Sequence, residues 1–388
     1  MSLKSITILI ASSVVIFGCT APKIESLARL NSVFTLFDKE NIVENFSNMQ
    51  TLFNAVDIPA APTSHELRQG QELSFKPGFD DWRTARETTA IVVLRDGQIV
   101  FEEYYLGTSQ EDHRISWSVA KSYLSALVGV LIARGDIQSI DDQVTLYVPE
   151  LISSAYEGAS IKNVLQMSSG VVFNEDYQSY FSDINRMGRV LATGGSMDEF
   201  TIDVDRRFAE PGDQWRYVST DTHVLSMVVR NATGRSLPDL MSEYILHPLG
   251  VEPGAYYLAD GLDVAFALGG LNLTTRDYAR FGELMRLNGV FQGARIVPAD
   301  WVAESTVPSA NTPQGAFQYG YQWWIPPMAH EGEFFAMGVY GQFIYVDRAS
   351  GVVIAVNAAD RDFLMPGVLN ENIAAFRAIS DNAQRSRP

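Results

Sequence analysis

The sequence contains little cysteine and little histidine. Its single cysteine, Cys19, cannot form an intrachain disulfide, so a disulfide framework is excluded. The five histidines show no paired ligand spacing, and we therefore expect neither a metal nor another cofactor. A Gly-x-Ser-x-Gly elbow is also missing, which argues against a Ser-His-Asp hydrolase built on that turn. The histidines are His65, His113, His223, His247 and His330.

Positive charge and long apolar runs are scarce as well. The formal net charge of −17 makes nucleic acid an unexpected partner, because phosphate binding needs a basic surface. The apolar run at residues 6–17 is too short to cross a bilayer. What is present is ordinary globular composition, 46% hydrophobic and 19% charged over 388 residues, which is enough for a large core.

The N-terminus has the pattern of an export signal. Lys4 precedes the apolar run, and Gly18-Cys19 follows it in the manner of a bacterial lipobox. We therefore predict a lipoprotein signal peptide at residues 1–19, a lipid anchor on Cys19 and a location in the bacterial cell envelope. By resemblance to Gram-negative lipoproteins, Thr20 favours the outer membrane, facing the periplasm. Phe17 is unusual in a lipobox, so an ordinary signal peptide with an incidental cysteine is the alternative.

The strongest internal motif is Ser118-x-x-Lys121. It opens an apolar run, residues 119–133, with helical spacing and a stop at Gly135. A serine and a lysine three apart share one helix face, and burial lowers the pKa of a lysine, so the amine can activate the hydroxyl. The Ser118 N–H, in the first turn, is free to bind an anion. The alternative is a simple N-cap with a solvated lysine, although only Lys121 among the lysines has a serine three positions earlier.

The remaining chain predicts an α+β fold. Residues 20–64 resemble a spacer with one apolar helix face. Strands at 90–94 and 98–105 are joined by an Asp96-Gly97 turn, and further strands follow at 334–337, 342–346 and 351–357, before a closing helix at 371–385. We predict one domain, residues 65–388, with an antiparallel sheet from both chain ends (about 65–135 and 312–388), flanked by helices. A mostly helical lobe (about 136–311) is inserted, and the site lies in the cleft between the lobes.

Two further motifs fall where such a cleft is expected. Tyr217-Val218-Ser219 precedes a helix predicted at 220–231, and a tyrosine beside a lysine can relay a proton. The alternative is a structural tyrosine. Gly338-Val339-Tyr340-Gly341-Gln342 opens a C-terminal strand, where glycine lets the backbone approach a ligand. A bulge or a tight strand entry explains the glycines equally well.

The ordered set of Ser118-Val119-Ala120-Lys121, Tyr217-Val218-Ser219 and a glycine-bearing strand resembles class C β-lactamases, penicillin-binding proteins and related esterases. The stretch 338–347 is similar to the branch that contains 6-aminohexanoate-dimer hydrolases, and the resemblance covers about residues 65–385. It implies the β-lactamase/transpeptidase-like fold, with Ser118 as acylated nucleophile and Lys121 and Tyr217 sharing acid–base duty. It also implies an oxyanion hole from the N–H groups of Ser118 and Val339, or of Tyr340 if the alignment slips, and substrate contacts from Tyr177, Ser219, Gly338 and Tyr340.

The chain departs from β-lactamases at two places. Ser219 stands where they carry asparagine, and Ala336-Met337-Gly338 stands where they carry Lys-Thr-Gly. By this resemblance, the lysine of Lys-Thr-Gly is the cation that would hold the carboxylate of a β-lactam or peptide. Its absence argues against efficient β-lactam hydrolysis and favours small ester or amide substrates. β-Lactamase or D-amino peptidase activity, or a catalytically silent envelope lipoprotein, are the alternatives. We further expect burial to lower the pKa of Lys121, and any remaining positive charge there to lower that of Tyr217, so that the two titrate as a pair.

Overall fold

The computed structural model describes residues 35–75 and 78–386. The predicted signal peptide, with Cys19, lies outside the described residues. Within those residues no helix is long and apolar enough to cross a membrane.

Strands from both ends of the chain form one antiparallel sheet, as the sequence predicts. It has seven strands, in the order β3-β2-β13-β12-β11-β10-β9, and its short strands β9 and β10 are not among the predicted ones. A smaller sheet, β1-β5-β6-β4, lies beside it, and β7 and β8 form a hairpin. The strands are β1 Ala55–Asp57, β2 Thr88–Arg95, β3 Gln98–Tyr104, β4 Arg114–Ile115, β5 Tyr256–Leu258, β6 Leu271–Leu273, β7 Val290–Phe291, β8 Ala294–Arg295, β9 Gln318–Tyr319, β10 Trp324–Ile325, β11 Glu333–Gly338, β12 Gln342–Asp347 and β13 Val352–Ala358.

Helices cover the main sheet and fill the middle of the chain. They are α1 Ile42–Ser47, α2 Met49–Leu52, α3 Phe79–Ala85, α4 Ala120–Arg134, α5 Val144–Tyr147, α6 Ile161–Leu165, α7 Asp183–Thr193, α8 Met197–Ile202, α9 Ser219–Thr233, α10 Leu237–Met241, α11 His247–Leu249, α12 Thr275–Arg286, α13 Ala299–Ser305 and α14 Val368–Arg385. A π-helical turn at Ser242–Leu246 separates α10 from α11.

The main sheet is buried on both faces, which explains the continuous apolar run of β2. Ile91 and Val93 pack towards α14, whereas Val92 and Leu94 face the larger core that contains α4. The turn between β2 and β3 has positive φ at Asp96 (49°) and Gly97 (79°), as the predicted hairpin requires. The predicted α+β architecture, an antiparallel sheet built from both ends of the chain and flanked by helices, is therefore confirmed.

Two predicted boundaries differ from the structure. The segment assigned to a spacer is not separate: Phe46 and Met49 are buried, and β1 pairs with β5. The sequence shows that this segment has an apolar helix face, but not which part of the protein that face packs against. Helix α12, placed in the helical lobe, instead packs on the main sheet, where a Cβ on Gly282 would lie 2.4 Å from Val353 Cγ1. Long-range packing, rather than order along the chain, assigns α12 to that layer.

Candidate active site

Ser118 lies in a short 3₁₀ turn, Trp117–Val119, that runs directly into α4. The preceding residue, Trp117, has φ 41°, a conformation that is uncommon for a residue with a Cβ. Its ring packs against Phe37 and Phe46, with centroids 5.8 Å and 5.6 Å away, and this packing holds the turn. A strained residue beside a hydroxyl is typical of a functional position, because the surrounding structure must compensate the cost.

Lys121 lies one turn further along α4 and is almost fully buried. Its Nζ donates to Leu268 O at 3.0 Å and to Ser219 Oγ at 3.4 Å. Burial lowers the pKa of Lys121 to about 7, although the nearby carboxyl groups of Glu175 and Asp221 act in the opposite direction. The predicted lowering of this pKa is confirmed, and a neutral amine is accessible near neutral pH.

Tyr217 lines the same cavity as Ser118, and the nearby Ser118 side chain lowers the pKa of the tyrosine slightly. Lys121 Nζ lies 5.5 Å from the centre of the tyrosine ring. Trp324 stacks on that ring, with the two centroids 5.7 Å apart. The expectation of a lowered tyrosine pKa is wrong: burial and the nearby Glu175 carboxyl raise the pKa of Tyr217 above its ordinary value. Tyr217 is thus protonated at neutral pH, and a phenolate is not the resting state.

Glu175 is a site residue that the sequence did not identify. Its Oε2 accepts a hydrogen bond from the Tyr177 hydroxyl at 2.9 Å and another from Ser219 Oγ at 3.1 Å, while Oε1 accepts the Ser219 N–H. Ser219 in turn contacts Lys121, so one carboxyl group positions two of the four predicted substrate-binding residues, Tyr177 and Ser219, beside the amine. Burial raises the pKa of Glu175, and Lys121 and the hydrogen bonds from Ser219 and Tyr177 partly offset that effect.

The third motif closes the site from the main sheet. Gly338 ends β11 against the nucleophile turn, and a Cβ on it would lie 2.5 Å from Ser116 O and 3.0 Å from Ser118 N. Only glycine fits there. Val339 follows and lines the space on both sides of Ser118, as the predicted oxyanion-hole residue must, and that role stays a prediction. Tyr340, with φ 60°, stacks on Phe37 at 4.6 Å.

Two cavities meet at Ser118. The first, here called the α7 cavity, has residues of α7, Leu268 and Ser219 in its wall. The second, the Trp324 cavity, is lined by Tyr217, Trp324 and Met337 among others. Ser118, Tyr177 and Val339 line both. Among the described residues, neither cavity is lined by a lysine, arginine, histidine, aspartate or glutamate.

The structure therefore brings all the predicted site residues of the described chain together. The residues that the sequence missed are Glu175 and the apolar walls. The position of Glu175, two residues before the predicted substrate-binding Tyr177, is the signal in the sequence that it lies near the site. The sequence does not show that its carboxyl group is buried there. Over the described ranges no cluster of histidine, cysteine, aspartate and glutamate side chains is arranged to hold a metal ion.

The arrangement predicts a pH profile and its response to one substitution. Hydrolysis should rise through about pH 7, since the neutral amine of Lys121 forms there. The negative charge of Glu175 raises the pKa of Lys121, so Glu175→Gln should move the rising limb to lower pH. We expect maximal kcat to fall less than about tenfold, below the effect of losing an acid–base group. The measurement is kcat against pH.

Asp176→Asn is the matched control for that substitution. Asp176 is exposed and neighbours Glu175 in the chain, so the variant removes one solvated charge and should leave the limb in place. An unmoved limb in Glu175→Gln would mean that Glu175 is uncharged in the working range. Equal shifts in both variants would mean that net charge alone sets the limb.

Comparison with known proteins supports the same assignment. A family model described as Beta-lactamase matches residues 67–375. A 6-aminohexanoate-dimer hydrolase from Paenarthrobacter ureafaciens is 30% identical over 316 residues, which cover 77% of this chain and 80% of that protein. The esterase EstB from Burkholderia gladioli is 26% identical and covers 62% of this chain and 76% of its own length.

A solved structure shows the same fold. A Bacillus anthracis protein provisionally assigned as a 6-aminohexanoate-dimer hydrolase superposes with a TM-score of 0.81. The alignment covers 90% of this chain and 96% of that one, at 23% sequence identity. The similarity extends well beyond the motifs, since it includes nearly the whole of both chains.

Proposed function

The chain belongs to the β-lactamase family and is a hydrolase related to amidases and esterases; from this we propose that it cleaves small neutral esters or amides through an acyl-enzyme on Ser118. The observation that carries the proposal is the placement of Ser118 and Tyr217 on one cavity beside the buried amine of Lys121, whose pKa is lowered to about 7. A serine hydroxyl becomes a useful nucleophile when an adjacent base takes its proton.

In acylation, Ser118 Oγ attacks the substrate carbonyl carbon as its proton passes to the Lys121–Tyr217 pair. A neutral amine has two N–H groups, which fit the acceptors Leu268 O and Ser219 Oγ, and a lone pair that remains for the proton. Tyr217 shares the cavity with Ser118 and stays protonated at rest, so it relays the proton rather than storing a charge. The N–H groups of Ser118 and Val339 would bind the oxyanion.

The bond to the leaving group then breaks, and the pair returns the proton to the leaving oxygen or nitrogen. In deacylation a water molecule loses its proton to the same pair and attacks the ester of Ser118, which releases the acid and regenerates the hydroxyl. One base therefore serves both halves of the reaction, as microscopic reversibility requires.

Ester or amide cleavage is favoured over β-lactam hydrolysis by the walls of the site. Ala336 and Met337 take the place of the cation that would hold a carboxylate, and Met337 lines the Trp324 cavity. A charged group without a partner in such a cavity is costly. The test is a panel of p-nitrophenyl esters, short amides and nitrocefin, with the Ser118→Ala variant as blank. The proposal would be contradicted if the protein hydrolysed nitrocefin faster than every ester and amide in the panel.

We also propose that the protein is exported and anchored to the membrane through a lipid on Cys19, because residues 6–17 and Gly18-Cys19 form a lipobox-like pattern. Cys19→Ser should release the protein from the membrane fraction or leave its precursor uncleaved, since acyl chains supply the attachment. Thr20→Ser is the control and should stay in the membrane. Fractionation and mass spectrometry decide: an unmodified Cys19 in the wild-type protein would end this proposal.

A further inference from the structure

We propose that the α7 cavity is an acyl-chain subsite for a neutral, unbranched alkyl acyl group, and that the N-terminal segment, residues 36–53, closes it and limits the chain length. This inference rests on the proposed acyl-enzyme at Ser118. It adds the substrate class and the residues that select it.

The position of Tyr217 indicates which end of the substrate lies in which cavity. Ser118 lies between the two cavities, but Tyr217 lines only the Trp324 cavity. The leaving group must receive a proton from the Lys121–Tyr217 pair, so it lies on the Trp324 side. The acyl group, which stays on Ser118 after the first step, then extends into the α7 cavity.

The wall of the α7 cavity explains the choice of a neutral alkyl chain. Most of its surface is apolar, and the wall contains no side chain that is charged at neutral pH. Among its polar residues, Asn185 is already engaged, because its Nδ2 donates to Ser179 O at 2.8 Å and to Tyr177 O at 3.0 Å. An alkyl chain gains about 0.8 kcal/mol for each CH₂ that it buries, whereas a charged chain would lose its solvation without compensation.

The N-terminal segment closes this cavity. Leu36, Phe37, Met49 and Phe53 line it, and three of these four are buried. Phe37 is fixed by stacking on Tyr340 at 4.6 Å, so the wall is braced from the third-motif loop. A braced aromatic wall cannot move aside cheaply, because close-packed side chains transmit strain instead of yielding. Chain length is therefore limited at this end.

A substitution at Gly188 on α7 can test directly whether the acyl chain of the substrate occupies the α7 cavity. Gly188 lines the cavity, and a Cβ built on it has no atom within 4 Å, so a larger side chain at this position starts in open space. Gly188→Leu should also favour the helix, because glycine is a poor helix former. The variant fills the cavity while the fold keeps its stability.

The experiment compares kcat/KM for p-nitrophenyl esters with acyl chains of two to twelve carbons. Gly188→Leu should lower kcat/KM for octanoyl ester at least about tenfold and for acetyl ester less than about threefold, as the loss of two or more buried methylenes implies. Phe37→Ala opens the wall and should shift the preferred chain to greater length. Thr193→Leu adds a leucine at the exposed end of α7 and is the control, with an unchanged profile.

The outcomes separate this inference from the function beneath it. If wild-type protein cleaves no ester or amide, or if Ser118→Ala cleaves them equally well, the proposed function fails. If the wild type acts through Ser118 but Gly188→Leu leaves the octanoyl-to-acetyl ratio unchanged, only the acyl subsite is overturned. If Gly188→Leu instead changes the preference for the alcohol in a series of alkyl acetates, the direction of the substrate is reversed.

Discussion

Ser118→Ala should abolish covalent labelling by a fluorophosphonate and reduce hydrolysis by a factor on the order of 10³–10⁶, since only binding and the oxyanion hole remain. The Ser118 hydroxyl attacks the substrate in acylation, and its oxygen holds the acyl group that water attacks in deacylation. The fold should persist, because the variant removes a single hydroxyl that faces the two cavities. Thermal unfolding of the variant measures that stability.

Ser125→Ala is the matched control. Ser125 lies on the same helix, α4, and its Oγ is buried without a hydrogen-bond partner among the described residues. Its loss should change neither labelling nor kcat. Near-parental hydrolysis by Ser118→Ala would end the covalent mechanism, and labelling at another serine would show that the wrong nucleophile has been assigned.

The second large effect concerns the Lys121–Tyr217 pair. Tyr217→Phe keeps the ring and its contacts with Lys121 and Trp324, and removes only the hydroxyl. We expect kcat to fall by a factor on the order of 10²–10⁴, the usual value of a general acid–base group. Lys121→Met keeps the length of the side chain without the amine, and should cost at least as much.

The double variant shows whether the two residues act as one unit. The increase in activation free energy for the double variant should be far smaller than the sum of the increases for the two single variants. The reason is that neither residue can transfer the proton effectively once the other is missing. Tyr257→Phe is the control, since the Tyr257 hydroxyl is buried without a partner in the described part of the chain. Additive losses would show independent roles, and the shared acid–base assignment would then be wrong.

Local patterns in the sequence carried most of the architecture. The β2–β3 hairpin follows from two strand-forming segments on either side of the turn residues Asp96-Gly97. Helix α4 follows from the helical spacing of its apolar residues and from the stop at Gly135. These features depend on neighbours in the chain, so a sequence can express them. The ordered motifs at Ser118, Tyr217 and Gly338 likewise indicated the family and the residues that meet in the site.

Contacts between distant segments decided the rest. Glu175 became a site residue only because Ser219, 44 positions later, packs against it, and the raised pKa of Tyr217 depends on burial and on that carboxyl group. The apolar face around Phe46 was visible, but its place beside Trp117 was not.

The sequence by itself thus determined which residue types are available to catalyse and roughly which elements hold them. The tertiary structure decided which side chains lose water and which face one another across the cleft. Desolvation and electrostatic interactions depend on distance in space, and separation along the chain does not encode that distance.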